Sequence, residues 1–367
     1  GHIHVGSRIE LPEAVAATEI TLRALIDHLN PYCAPDTALV AGPGPSPDNA
    51  PTVRVFQPLQ DAEPQYEFDA YGTPAYGVNV TTGDPDDPPL LVVNGYTSQL
   101  ISWQRGYVDQ LVSQGLFVIQ FDNRDVGLSS KLDGRRVSPG AVLTASLQGD
   151  PIPPVPYTLS DMAADGIGLL DHLGIDRAHI VGNSMGGMIV QTMAIEHPER
   201  IASVTSVMSS PGDPRVGRPT PEARDALLAP PPPGRDDFIA ASLNSRVWAS
   251  RKHYDPDWLL ELAAAQYDRC FYPEGATRQL AAIYASGDRS AGLSTLEVPM
   301  LVIHGRDDTL ITPEGGERTA ELVPGSRYLL LSDMGHDHPE PLWPVLAEAI
   351  GGHARTNMIT HTSPNRS

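Results

Sequence analysis

Ala178-His179-Ile180-Val181-Gly182-Asn183-Ser184-Met185-Gly186-Gly187-Met188 is the stretch that decides the fold. It opens as a short, apolar, β-branched run, the pattern of a buried strand. From Met185 the apolar residues Met188, Ile189, Met193 and Ile195 recur at helical spacing until Pro198 ends the run. Between the two lies Gly182-Asn183-Ser184-Met185-Gly186, a G-x-S-x-G turn. A strand-to-helix passage of this kind is so tight that a Cβ at Gly182 or Gly186 would clash. It thrusts the serine hydroxyl out at the carboxyl edge of a sheet. It also aims the Met185 N–H, at the positive start of a helix, toward the space where a negative oxygen would develop. The competing reading of so short a motif is an ordinary glycine-rich turn, so its neighbours decide.

The chain on either side repeats the alternation. Residues 89–93 and 116–121 read as continuous apolar strands, with a helix over 103–114 between them. Residues 158–173 predict a helix carrying Leu159, Met162, Ile167 and Leu170 on one face and stopped by Gly174. A strand over 203–208 follows the central stretch. Short apolar strands alternating with helices predict an α/β fold: a mostly parallel sheet with helices on both faces. The alternation then breaks. Residues 211–290, with the proline run 230–233, show helical patterns and no strand. It resumes with strands over 298–303 and 327–331 and helices over 313–323 and 340–350. A helical insertion late in a parallel sheet predicts a cap over the carboxyl edge, where ligands bind in such folds.

The expected organisation is a core of residues 63–210 and 291–352, a helical cap of 211–290 and a tail of 353–367. Residues 1–62 form a separate N-terminal extension. Within it, 11–29 predicts an amphipathic helix, and 35–51, rich in proline and glycine, predicts a linker. Residues 66–71 and 76–82 predict a hairpin around Gly72-Thr73-Pro74.

Composition narrows the partners. The chain has 367 residues, 41% of them hydrophobic, enough for a large core. Its formal charge of −20 argues against nucleic acids and anionic membranes. No stretch approaches the ~18 consecutive apolar residues of a membrane span. Cys33 and Cys270 are the only cysteines and show no metal-ligand spacing; two free thiols are expected, with one disulfide as the alternative. A cytoplasmic location is the default. Export stays open because the chain starts Gly1-His2-Ile3-His4 without Met, as a processed or engineered start would.

A serine hydroxyl attacks a carbonyl only when a base takes its proton and a third group orients the base. On this topology the acid and the histidine come later in the chain, each in a loop just past a strand end. His304-Gly305-Arg306-Asp307-Asp308 follows the strand at 298–303, and Ser332-Asp333-Met334-Gly335-His336-Asp337-His338 follows the strand at 327–331. The residues alone leave Asp307 or Asp308, and His336 or His338, open. Asp213, after the strand at 203–208, is a third candidate acid. The second oxyanion donor is expected in Asn94-Gly95-Tyr96-Thr97, with the Tyr96 N–H paired to that of Met185. Gly95, Trp103 and Trp258 are candidate substrate-binding residues. The charged loop from Asp122 to Ser129 reads as a brace of the active edge rather than a substrate contact.

The motifs Gly182-Asn183-Ser184-Met185-Gly186-Gly187, Gly305-Arg306-Asp307-Asp308 and Met334-Gly335-His336-Asp337, with the loop from Asp122, resemble the α/β-hydrolase superfamily. The likeness is nearest to actinobacterial aclacinomycin-methylesterase-like hydrolases and mycobacterial esterase/lipases, and it spans about residues 66–351. The resemblance implies Ser184 as nucleophile, Asp308 as acid and His336 as base, with a small-molecule carboxylic ester as substrate and no metal or organic cofactor. Two departures stand out. Many relatives carry His-Gly where this chain has Asn94-Gly95, and residues 1–62 have no counterpart. A cofactor-free perhydrolase or haloperoxidase using the same three residues is the alternative activity, and a non-catalytic binding protein is the alternative class.

Overall fold

A computed structural model of the chain describes residues 37–41, 52–56, 66–69 and 79–357. The helix expected over 11–29 and Cys33 lie outside the described residues. The strands are β1 (Thr37–Ala41), β2 (Thr52–Phe56), β3 (Tyr66–Asp69), β4 (Asn79–Thr82), β5 (Pro89–Val93), β6 (Phe117–Phe121), β7 (Ala178–Asn183), β8 (Ile201–Val207), β9 (Met300–Gly305) and β10 (Arg327–Leu331). They form one sheet in the order β10-β9-β8-β7-β5-β6-β4-β1-β2-β3. From β10 to β6 every pairing is parallel, and from β6 through β4 to β3 every pairing is antiparallel.

Two expectations are corrected here. Residues 66–69 and 79–82 are strands but do not form a hairpin: β3 pairs with β2, and β4 pairs with β1 and β6. Their turn signals are real, but turn chemistry does not itself choose a strand's neighbour: β3 is as near in sequence to β2 as to β4 and pairs with β2. The stretch 35–51 is not linker throughout. Thr37-Ala38-Leu39-Val40-Ala41 is strand β1, whose register sets Thr37 opposite Thr82. The flanking prolines and glycines mask a five-residue strand run. Cys270 is a free thiol.

The parallel strands read as unbroken apolar runs because both faces are covered. Leu91 and Val93 pack with Met162 and Leu170 of the helix Leu159–His172 and with Ile189 and Met193 of the helix Met185–Glu196. Leu90 and Val92 point the other way, onto Tyr107 and Leu111 of the helix Arg105–Val112 and Leu346 and Ile350 of the helix Trp343–Thr356. Each side chain so buried contributes roughly 1.5–3 kcal/mol. The last helix runs beyond residue 352, and His353 and Ala354 are buried, so the C-terminal tail begins later than expected. Thr158 and Asp161 close a reciprocal capping box at the start of the helix Leu159–His172.

The strand order reverses at β5, whose two neighbours are β6 and β7. Loops leaving β5 and β7 diverge there and open a crevice at the carboxyl edge. Between β8 and β9 the chain adds the helices Pro221–Leu228, Arg235–Ala241, Pro256–Cys270 and Glu274–Ser286. The loop after β6 ties these helices to the core. Asp122, fully buried, accepts the N–H groups of Leu100 and Leu128 and pairs with Arg269 at 2.7 Å. Asp125 takes a two-pronged bond from buried Arg278 at 2.8 and 2.9 Å. Arg124 clasps Asp165 through two 2.6 Å bonds. All three charges are spent on neighbours.

Candidate active site

The turn after β7 is as tight as its glycines suggest. A Cβ on Gly182 would lie 2.2 Å from the Gly186 carbonyl oxygen, and one on Gly186 would lie 2.1 Å from the Val93 carbonyl oxygen. Ser184 is forced to φ +56° and ψ −120°, a conformation that costs a non-glycine residue about 1–3 kcal/mol. The surroundings hold it there. Its N–H donates to Val207 O at 2.9 Å, and its carbonyl accepts the Ser209 hydroxyl at 2.8 Å and the Met188 N–H at 3.2 Å.

Of the two neighbouring aspartates, Asp308 turns inward. It is 2% exposed. Its Oδ2 lies 2.6 Å from His336 Nδ1, while its Oδ1 accepts the N–H groups of Leu310 and Ile311 at 2.8 and 2.9 Å. Burial opposes its ionisation, but the charge of His336 and the hydrogen bonds from His304 and His336 outweigh it and hold the carboxyl below its ordinary range. Asp307 faces outward, accepting the Arg251 N–H at 3.2 Å. Asp213 is bound at both oxygens by Arg215, which pushes its carboxyl down to about 2. Neither meets a histidine.

The histidines separate as clearly. His336 faces Asp308, and its backbone N–H is pinned to Trp248 O at 2.7 Å. His338 is packed against Trp103 and Tyr107, with ring centroids 5.0 and 5.5 Å away. Burial and the nearby His336 push the His338 imidazole down to about 3, so it is neutral across the working range.

Ser184 and His336 line one cavity of about 1110 Å³, walled also by Gly95, Tyr96, Met185 and Trp258. No Ser184–His336 hydrogen bond is made in this structure; such bonds often tighten only around substrate. The loop after β5 abuts the turn closely: a Cβ on Gly95 would sit 3.2 Å from Ser184 Cβ. The backbone N–H groups of Tyr96 and Met185 donate to no acceptor among the described residues. Tyr96 is partly buried, and burial together with Tyr284 pushes its phenol up to about 12. Trp103 is a correction. It is 2% exposed, stacks on Tyr107 at 5.0 Å and does not reach the cavity. Its indole is held in the layer between the sheet and the helix Trp343–Thr356.

Two contributors escape the motif reading. His304, fully buried at the end of β9, places Nε2 2.8 Å from Ile311 O and 3.3 Å from Asp308 Oδ2. Its position four residues before the acid is the only local signal. Asp337 accepts the N–H groups of Ser250 and Gly335 at 2.9 and 3.1 Å, fixing the turn that carries His336; burial raises its carboxyl. Among the described residues no group of three or more His, Cys, Asp or Glu is arranged to hold a metal ion.

This geometry has relatives. The chain matches the family model of the alpha/beta hydrolase fold over residues 88–338, and it belongs to that family. It is 29% identical to the rhodomycin D methylesterase DnrP of Streptomyces peucetius, over 76% of this chain and 94% of that one. It is 25% identical to a putative non-heme bromoperoxidase, BpoC, of Mycobacterium tuberculosis, over 70% of this chain and 87% of that one. Among solved structures, the enol-lactonase from Burkholderia xenovorans superposes with a TM-score of 0.58 at 24% identity, covering 77% of this chain and 97% of that one; this likeness speaks for the fold alone.

Proposed function

We propose that this chain hydrolyses a carboxylic ester of a small or medium apolar molecule through an acyl-enzyme on Ser184. The observation that carries the reading is the 2.6 Å bond between buried Asp308 and His336, whose imidazole opens on the same cavity as Ser184. In this reading His336 takes the proton of the Ser184 hydroxyl as Oγ bonds to the ester carbonyl carbon. Asp308 accepts the Nδ1–H and stabilises the imidazolium. The Tyr96 and Met185 N–H groups receive the oxyanion, a contribution of about 10²–10³ in rate per donor. The alcohol leaves with the proton from His336. Water, deprotonated by the same imidazole, then attacks the acyl carbon and restores Ser184 as the acid departs. The name of the Streptomyces relative makes methyl esters the first class to offer.

The test is Ser184→Ala assayed with p-nitrophenyl esters of rising chain length and with methyl esters. Turnover is expected to fall by about 10⁴–10⁶, with an unchanged melting curve. A fluorophosphonate probe is expected to label the parent protein and not the variant. Retained turnover, or labelling at another residue, refutes the assignment. A second reading, in which hydrogen peroxide replaces water in the attack on the acyl-enzyme and the released peracid oxidises halide, is supported by the mycobacterial relative's name. Peroxide-dependent bromination exceeding ester hydrolysis would favour it.

A further inference from the structure

Thr97, in the loop that abuts Ser184, also has a left-handed backbone, at φ +56°. It sits third in the turn from Gly95 to Ser98, which is closed by the Ser98 N–H donating to Gly95 O at 3.2 Å. A positive φ at that position suits glycine or asparagine, and a β-branched residue is among the worst choices for it. Left to itself the Tyr96–Thr97 peptide would turn over, giving threonine an ordinary right-handed conformation. Something outside the turn holds it.

That something is a side chain 182 residues away. Gln279, 0% exposed on the helix Glu274–Ser286, accepts the Thr97 N–H on Oε1 at 2.8 Å. Its Nε2 donates to Arg124 O in the loop after β6 at 3.0 Å. The network fixes which way round the amide lies, because a flip would set N–H against N–H and oxygen against oxygen. The helix behind it is locked. Arg278, the preceding residue, is paired with Asp125. A Cβ on Gly275 would lie 2.1 Å from Asp125 O, so helix and loop are in backbone contact.

We infer that Gln279 is a positioning residue for the oxyanion hole: by anchoring the Thr97 N–H it fixes in place the Gly95–Ser98 turn, which abuts Ser184 through Gly95 and carries the Tyr96 N–H. The inference rests on the proposed esterase chemistry, in which that N–H receives developing charge. It gives a residue from the inserted helices a part in transition-state stabilisation without any contact with substrate.

The test compares Gln279→Met, which keeps the length but has neither donor nor acceptor, with Gln279→Glu, which keeps an acceptor for Thr97. Both are read as full-length protein, after a thermal melt establishes folding. For Gln279→Met, kcat on a p-nitrophenyl ester is expected to fall about 10- to 100-fold, at most the loss for deleting one oxyanion donor. KM should stay within about 3-fold, because the ester ground state makes no demand on the hole. Affinity for a trifluoromethyl ketone, whose Ser184 adduct carries the oxyanion, should weaken in proportion to kcat. Gln279→Glu, held protonated by burial so that it accepts from Thr97 and donates to Arg124 O, should recover most of both losses. If Gln279→Met does not fold, Gln279→Asn, too short to reach Thr97, replaces it with the same expected loss. Unchanged kcat and ketone affinity in a folded variant overturn the inference. So does a rise in KM at constant kcat, or Gln279→Glu no better than Gln279→Met. Failure of the esterase reading itself would appear separately, as Ser184→Ala retaining turnover.

Discussion

Replacing Asp308 by Asn tests the site at the point where the residues alone left two readings. The carboxylate serves two sets of donors. Oδ1 faces the N–H groups of Leu310 and Ile311, and Oδ2 faces His336 Nδ1. An asparagine has one oxygen to offer. Two fixed backbone N–H groups outbid one imidazole, so the amide oxygen takes the Oδ1 place and the NH₂ turns to His336. The imidazole must then accept at Nδ1 and carry its proton on Nε2, leaving no lone pair to take the Ser184 proton. The expected loss in kcat is about 10⁴-fold, or about 5 kcal/mol of transition-state stabilisation. Melting temperature should change little, since volume and the two backbone bonds are kept. Asp307→Asn is expected to cost less than about 3-fold, because that carboxylate only meets Arg251 near the surface. Asp213→Asn should loosen Arg215 and leave kcat alone. The assay is kcat on a p-nitrophenyl ester with a melt of each variant. If Asp307→Asn or Asp213→Asn is the more damaging, the pairing of acid and base argued above is wrong.

Two further outcomes follow from buried charge and buried imidazole. Arg278→Met strands Asp125 in a buried site and should cost about 3–5 kcal/mol, read from urea denaturation; a shift below about 1 kcal/mol would mean that water reaches the carboxylate. His338 and His179 are buried and pushed down to about 3 and about 4. The unfolded chain therefore binds protons first, and stability is full above about pH 6.5 and lost as the pH falls. By pH 5 each is expected to cost roughly 2 kcal/mol; an equal urea midpoint at pH 7 and pH 5 would contradict this.

The strand–turn–helix around Ser184 is legible in the sequence because every constraint on it is local: β-branched residues, then two glycines at fixed offsets, then helical spacing. The choice of Asp308 over Asp307 is not. Both follow the same strand, and what separates them is that the Asp307 N–H is tied to Met334 O, which turns the next side chain inward. Trp103 looked like a pocket residue because aromatic side chains serve cores and pockets alike; only its stacking on Tyr107 decides. The helix Pro139–Gln148 goes unread although Ser138 and Pro139 mark its start, since it lacks a sustained apolar face. Gln279 carries no local mark, as its partners Thr97 and Arg124 lie far off in the chain. The pairing of β3 with β2 is equally invisible to turn signals.

On the proposed chemistry, the twisted backbone at Ser184 makes endurance and activity compete. A penalty of about 1–3 kcal/mol is a sizeable share of the ~5–15 kcal/mol that separates a folded chain from an unfolded one. Selection for heat tolerance alone would therefore favour losing the hydroxyl-bearing residue in exchange for one at ease in that conformation. A descendant freed from its reaction would be expected to drift first at this position, and such a sequence would keep the sheet, the glycines and the cavity while having no chemistry left.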